Sequence, residues 1–222
     1  MNEYFKDVYL RGFISACISI FVPLFIWGNT IAHLPYFINK IEMASTSLGF
    51  FFMLFSAIQI IFSQFAGRII IPKIGSKNTL SLGILIFSIF PIIIIFSENS
   101  FHFILASIPC GFGVGLFYTT CTAVTGIAEK ETGKILQPLW GGFLSFGFLC
   151  GAIFSSVWQY YNIDTSYLFF LLSLFGIIGF FLIRIYAFPK NKDNIDKSEK
   201  FKLPEVKILI FGIYLFIFYA SV

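Results

Sequence analysis

The chain has 222 residues, a formal net charge of +4 and a composition that is 58% hydrophobic and 12% charged, with 32 Phe. A soluble domain cannot hide that much apolar side chain beneath its polar surface, so a water-soluble globular class is excluded. The basic balance would suggest nucleic acid if it formed one soluble patch, but the bases fall between long apolar runs, and no nucleic-acid partner is expected.

The chain opens "MNEYFKDVYLRGF", with bases ahead of an apolar run that is too long for a signal peptide and lacks a small-residue cleavage site. A membrane-crossing helix needs about 20 mostly apolar residues. Runs of this kind, free of Lys, Arg, Asp and Glu, occupy 13–34, 46–67, 79–97, 103–128, 135–163 and 165–183. In the first, Ser15, Ser19, Asn29 and His33 recur at helical spacing, so one face carries all four polar groups. In the second, Ser56, Gln59 and Ser63 share a face. The fourth holds closely spaced Gly111, Gly113 and Gly115, then Tyr118 and Thr122. The fifth carries Gly147 and Gly151 as a small-xxx-small pair. Such glycines let neighbouring helices approach closely. The stretch 188–206 is charged, contains two prolines and reads as a solvated linker. The closing stretch 207–222, "KILIFGIYLFIFYASV", reads as the start of a seventh crossing. As a helix 208–222 would reach about 22 Å, short of an apolar core about 30 Å thick, so the expectation is a truncated helix.

With the N-terminus on the cytoplasmic side, every Lys and Arg except Lys40 falls in a cytoplasmic segment, the pattern that sets orientation in membrane proteins. Cys17, Cys110, Cys121 and Cys150 all lie in apolar runs, and His33 and His102 are the only histidines. No metal site or cofactor is expected from that set. Membrane enzymes need clustered His, Asp, Glu or Arg near one face, and no such cluster exists, so no enzyme is expected.

The link 67–77, "GRIIIPKIGSK", resembles the glycine-and-base signature G-x-x-x-D-R-x-G-R-R/K of the major facilitator superfamily of secondary transporters. Gly75, Lys73 and Lys77 match it. Pro72 stands in place of the acid, Ser76 replaces a base, and Gly67, followed by Arg68, comes one residue early. "CGFGVGLFYTT" resembles that family's glycine-rich fourth helix, with Ser107 where an arginine is usual. "WGNTIAHLP" and "AEKETGKILQPLWGGFLSFGFLCGA" look like a bacterial inner-membrane branch similar to fucose permease and other sugar permeases.

The resemblance implies an all-α integral membrane fold. Residues 1–187 would form a six-helix bundle of two inverted three-helix repeats, 188–206 a cytoplasmic central loop, and 207–222 the start of a seventh helix. It implies the N-terminal half of a secondary active transporter in a bacterial inner membrane. That half would work by alternating access on a small polar solute, sugar-like or another metabolite, and would need a C-terminal six-helix half besides membrane lipids. Asn29, Gln59, Tyr118, Thr122, Trp27 and His33 are the candidate cavity residues. Amides both donate and accept hydrogen bonds, and Trp and Tyr offer a flat face with a polar tip. The same groups also serve as helix-to-helix contacts, Trp27 as an interfacial anchor, and the whole chain as a non-transporting scaffold or partner-binding protein.

Overall fold

In the computed structural model the described residues are 3–187. The expected loop 188–206 and helix start 207–222 lie outside the described residues. Regular structure among the described residues is helical throughout. The helices are α1 Glu3–Ala32, α2 Leu34–Lys40, α3 Ser45–Phe65, α4 Ile71–Ile74, α5 Ser76–Phe87, α6 Phe90–Ile95, α7 Ser100–Leu105, α8 Ser107–Thr132, α9 Gln137–Tyr160 and α10 Thr165–Tyr186, with a π-helical turn at Ala66–Ile70.

These merge into crossings 1 to 6: Val8–Ala32, Ser45–Ile74, Ser76–Ile95, Ser100–Thr132, Gln137–Tyr160 and Thr165–Tyr186. The six expected crossings are all present, but several ends differ. Crossing 2 runs past position 67 through Arg68 and Lys73, and crossing 4 runs past 128 to Thr132. Long basic side chains at a helix end reach back to the polar boundary, so a charge does not end the helix. Proline explains the internal breaks. Pro91 opens α6 and Pro109 lies in the first turn of α8. In such positions the missing N–H costs little, whereas in mid-helix it removes a bond to the fourth preceding carbonyl. Pro72 sits in the first turn of α4, just after the π-helical turn in which Ile71 N–H reaches back to Ala66 O. The extra residue of that turn fits the chain to the proline.

Crossing 1 packs on crossings 5, 4 and 6; crossing 4 packs on 2, 3 and 1; crossings 3 and 6 pack on each other. Exchanging 1 with 4, 2 with 5 and 3 with 6 maps this pattern onto itself. Successive crossings alternate in direction, so the exchange relates two triplets of opposite orientation, the inverted repeats expected from the resemblance. The connections repeat as well. Those inside the triplets each turn on one residue with positive φ: Glu42 (47°), Gly75 (84°), Gly133 (69°) and Asn162 (50°). Among the described residues no other residue has positive φ, so the connection between the triplets, 96–99, has none.

The core is aromatic, with Phe37, Phe87, Phe90, Phe103, Phe117 and Phe169 fully buried. Crossings 2 and 5, counterparts in the repeat, are the least buried. In the apolar 18-residue stretch of each, 6% of crossing 2 and 22% of crossing 5 lie inside the bundle, against 56% for crossing 1.

Candidate functional site

Glycine sets the spacing of the bundle. A Cβ on Gly111 would lie 2.6 Å from Phe55 O, and one on Gly115 would lie 2.8 Å from Gln59 O, both on crossing 2. A Cβ on Gly113 would lie 2.7 Å from Gly83 O of crossing 3. Crossing 4 is therefore held backbone to backbone between crossings 2 and 3. On the other triplet a Cβ on Gly147 would lie 2.7 Å from Phe21 O, and one on Gly151 would overlap Phe25 O, both on crossing 1. Gly28 answers from crossing 1, where a Cβ would overlap Phe148 O.

This packing leaves a cavity of about 140 Å³ among crossings 1, 2, 3, 4 and 5. Its walls are Pro23, Leu24 and Trp27 of α1, Phe55 and Gln59 of α3, Phe87 of α5, Val114, Phe117 and Tyr118 of α8, and Leu144 of α9. Tyr118 comes one turn after Gly115, so the contact that docks Gly115 on Gln59 brings Tyr118 to the same place. Trp27 follows Pro23 by one turn, and Pro23 cannot return a hydrogen bond to the carbonyl of Ser19. The Trp27 ring stacks on Phe55 at 5.2 Å between centroids and leans on Phe90 at 5.6 Å. Tyr118 meets Trp140 edge to face at 5.4 Å. No charged residue lines the cavity, and the wall residues that carry a polar side-chain group are Gln59, Tyr118 and Trp27.

Of the six residues singled out from sequence, the structure brings together Trp27, Gln59 and Tyr118 and places three elsewhere. Asn29 is fully buried against crossing 5. Its Nδ2 donates to Phe25 O at 2.9 Å, and its Oδ1 has no partner. His33 is buried at the end of α1, where Nδ1 pairs with the Ser155 hydroxyl and the ring meets Phe169 at 5.8 Å. Gln159 Nε2 completes that cluster with bonds to Ser155 Oγ at 3.1 Å and Ala32 O at 3.2 Å. Thr122 is exposed and donates to Tyr118 O at 3.0 Å. The stripe on crossing 1 is thus buried within the bundle and none of it is among the cavity walls, and Ser15 and Ser19 donate to Gly12 O and Ser15 O of their own helix.

The link between crossings 2 and 3 is built as a tight turn. Gly67 and Arg68 lie in the π-helical turn, and Lys73 precedes Gly75, whose φ of 84° and ψ of 161° suit glycine alone. Lys77 follows in the first turn of α5. On the next connection of the same membrane side, Glu129 Oε1 accepts from Leu136 N at 2.6 Å and Gln137 N at 2.7 Å, capping α9.

Sequence reasoning missed the apolar walls Leu24, Phe87, Val114, Phe117 and Leu144, and Ser155, the partner of His33, with Gln159 bonded to it. Pro23 in mid-helix was a readable signal for the cavity wall. Ser155 and Gln159, four apart in crossing 5, were a readable signal for a polar face. The apolar walls carry none, since a Phe or Leu reads alike toward core, lipid or cavity.

Comparison with known proteins gives two findings. The family model described as Major Facilitator Superfamily matches residues 16–222. The chain is also 28% identical over 160 residues to Multidrug resistance protein 2 of Bacillus subtilis (strain 168). That alignment takes in 65% of this chain and 40% of the relative, so the chain spans less than half the relative's length.

Proposed function

Since the chain belongs to the Major Facilitator Superfamily, a family of membrane transporters, we propose that it supplies the N-terminal six-helix half of a secondary active transporter. The half works by alternating access around Trp27, Gln59 and Tyr118. The observation that carries this reading is the cavity among the crossings, walled partly by 2 and 5, the two least buried. A second bundle packed on that side would close the cavity into a site between two bodies, where rocking exposes it to each side in turn. One bundle alone supplies only half the walls, so the chain alone does not transport. The N-terminus faces the cytoplasm of a bacterial inner membrane, by the distribution of Lys and Arg.

The lining also bears on the solute. Stacked rings with one amide, one phenol and one indole N–H suit a flat, mostly apolar solute with few hydrogen-bonding groups. A hydroxyl-rich solute would leave its groups unpaired against Leu24, Phe87, Val114, Phe117 and Leu144. With the Asn29 amide bonded to Phe25 O of its own helix and absent from the cavity walls, this half lacks the second amide that a sugar-like solute would use. The multidrug resistance named for the relative is in keeping with the apolar reading.

The test is transport in vesicles that contain this chain co-expressed with a six-helix C-terminal half, using a planar aromatic dye and a labelled sugar. Dye transport that falls about tenfold in Gln59→Ala and Tyr118→Ala, with Thr122→Ala unchanged, is the expected result. Saturable transport by the chain alone would overturn the half-transporter reading. Sugar transport without dye transport would overturn the solute reading. No transport in any pairing would favour a non-transporting scaffold.

A further inference from the structure

A second, larger hollow lies away from that cavity. Crossings 5 and 6 both pack on crossing 1, and between them they leave an apolar groove of about 590 Å³. Ile14 and Ile18 of α1, Phe143 and Phe146 of α9, and Ile178 and Leu182 of α10 are among its walls. Volumes of this order hold small-molecule ligands. Along α1 the groove runs from Phe13 to Val22, about 14 Å of helix. That is roughly half of an apolar membrane core about 30 Å thick. The groove therefore traverses one leaflet and ends near the midplane. A partner helix crossing the whole membrane would fill it over only half its length, whereas a lipid chain of one leaflet has the matching reach.

Its polar end is marked by a cation. Arg11 precedes Ile14 by three residues, so it stands on the groove side of α1. The guanidinium is exposed, and Nη2 donates to Ile185 O at 3.3 Å, across the gap from α1 to the end of α10. One bond uses one of five N–H donors, and the remaining fork has the geometry for a phosphate diester. The geometry points to one bound anionic glycerophospholipid from the surrounding leaflet, with an acyl chain in the groove and its phosphate on Arg11.

Native mass spectrometry of the full chain, titrated with phosphatidylglycerol or with phosphatidylcholine of the same chains, tests this. The expected result is a first lipid adduct that favours phosphatidylglycerol by roughly tenfold, the ratio for about 1.4 kcal/mol. Arg11→Gln should erase the preference and Arg11→Lys should restore part of it. Ile178→Trp, on the exposed side of α10, should fill the groove and weaken both lipids without changing helix content or melting. An unchanged preference in Arg11→Gln would overturn the phosphate assignment. Wild-type retention of both lipids in Ile178→Trp would show only non-specific boundary lipid and overturn the site. A dimer whose cross-links join Ile178 of two copies would overturn it as well, by giving the groove to protein.

Discussion

Gly75 and Gly67 belong to one sequence signature but differ in what they do. Gly75 lies at φ 84° and ψ 161°, a region that costs a residue with a side chain about 1–3 kcal/mol. A Cβ on Gly67 would meet nothing nearer than Thr119 Cγ2 at 3.7 Å, an ordinary contact. Gly75→Ala should therefore lower the detergent melting temperature, and Gly67→Ala should leave it near wild type. A second contrast tests the bundle. A Cβ on Gly113 would lie within 2.9 Å of crossing 3 backbone, while one on Gly142 would meet nothing within 4 Å. Overpacking costs typically about 1–3 kcal/mol, so Gly113→Ala should destabilise and Gly142→Ala should not. Sequence pointed to these glycines because spacing is visible in one dimension. Which neighbour each one touches is not, since that depends on how far each helix is rotated. The same limit applied to Asn29, whose face was readable while the helix it meets was not.

At the scale of the element, α10 begins on Asp164, whose carboxylate accepts from Ser166 N at 2.7 Å. That bond holds the acid below the usual carboxylate range, with the Ser166 hydroxyl and the charge of Lys40 adding to it. A depressed pKa contributes stability that is present above the ordinary carboxylate pKa and is lost as pH falls through the lower folded value. Melting of the wild type should thus drop on acidification in that window, and Asp164→Asn should remove that part of the pH dependence while keeping an acceptor for Ser166 N. An Asn variant with the wild-type pH profile would contradict the cap. The helices themselves were legible because a bilayer demands about 20 apolar residues and tolerates no unpaired backbone. Their ends were not, because Arg68, Lys73 and Glu129 continue their helices at the membrane boundary, where charge is cheap. The breaks before Pro91 and Pro109 were readable in principle, but an apolar run hides them.

For the whole molecule the charge distribution and the triplet exchange make one picture. Lys40, the one base on the opposite side of the expected topology, donates to Ile95 O at 3.0 Å and thereby ties the first connection to the end of crossing 3. Topology reporters fused at Lys40, Ser97 and Lys192 should read outside, outside and cytoplasmic; a reporter at Lys192 active only outside the cytoplasm would refute the arrangement. The class and number of crossings were legible from hydropathy, and the repeat from resemblance. The half-cavity was legible only at Trp27, Gln59 and Tyr118, where a polar tip distinguishes the residue. Its apolar walls became visible only when five crossings were placed together.

The inversion of the second triplet also constrains how the protein is made. The ribosome delivers crossings 1 to 3 and then must have crossings 4 to 6 inserted upside down relative to them. With the N-terminus in the cytoplasm, as proposed, the connection 96–99 has to be carried across the membrane. Between Lys77 and Lys130 the chain has neither Lys nor Arg, and the connection bears a lone acid, Glu98. Few charges resist its passage, and no base retains it. Ser97→Arg with Glu98→Lys should therefore trap the connection during biosynthesis and present the later helices the wrong way up. Steady-state membrane levels should fall through proteolytic clearance, while the same charge placed at Asn78, beside Lys77, should leave yield unchanged.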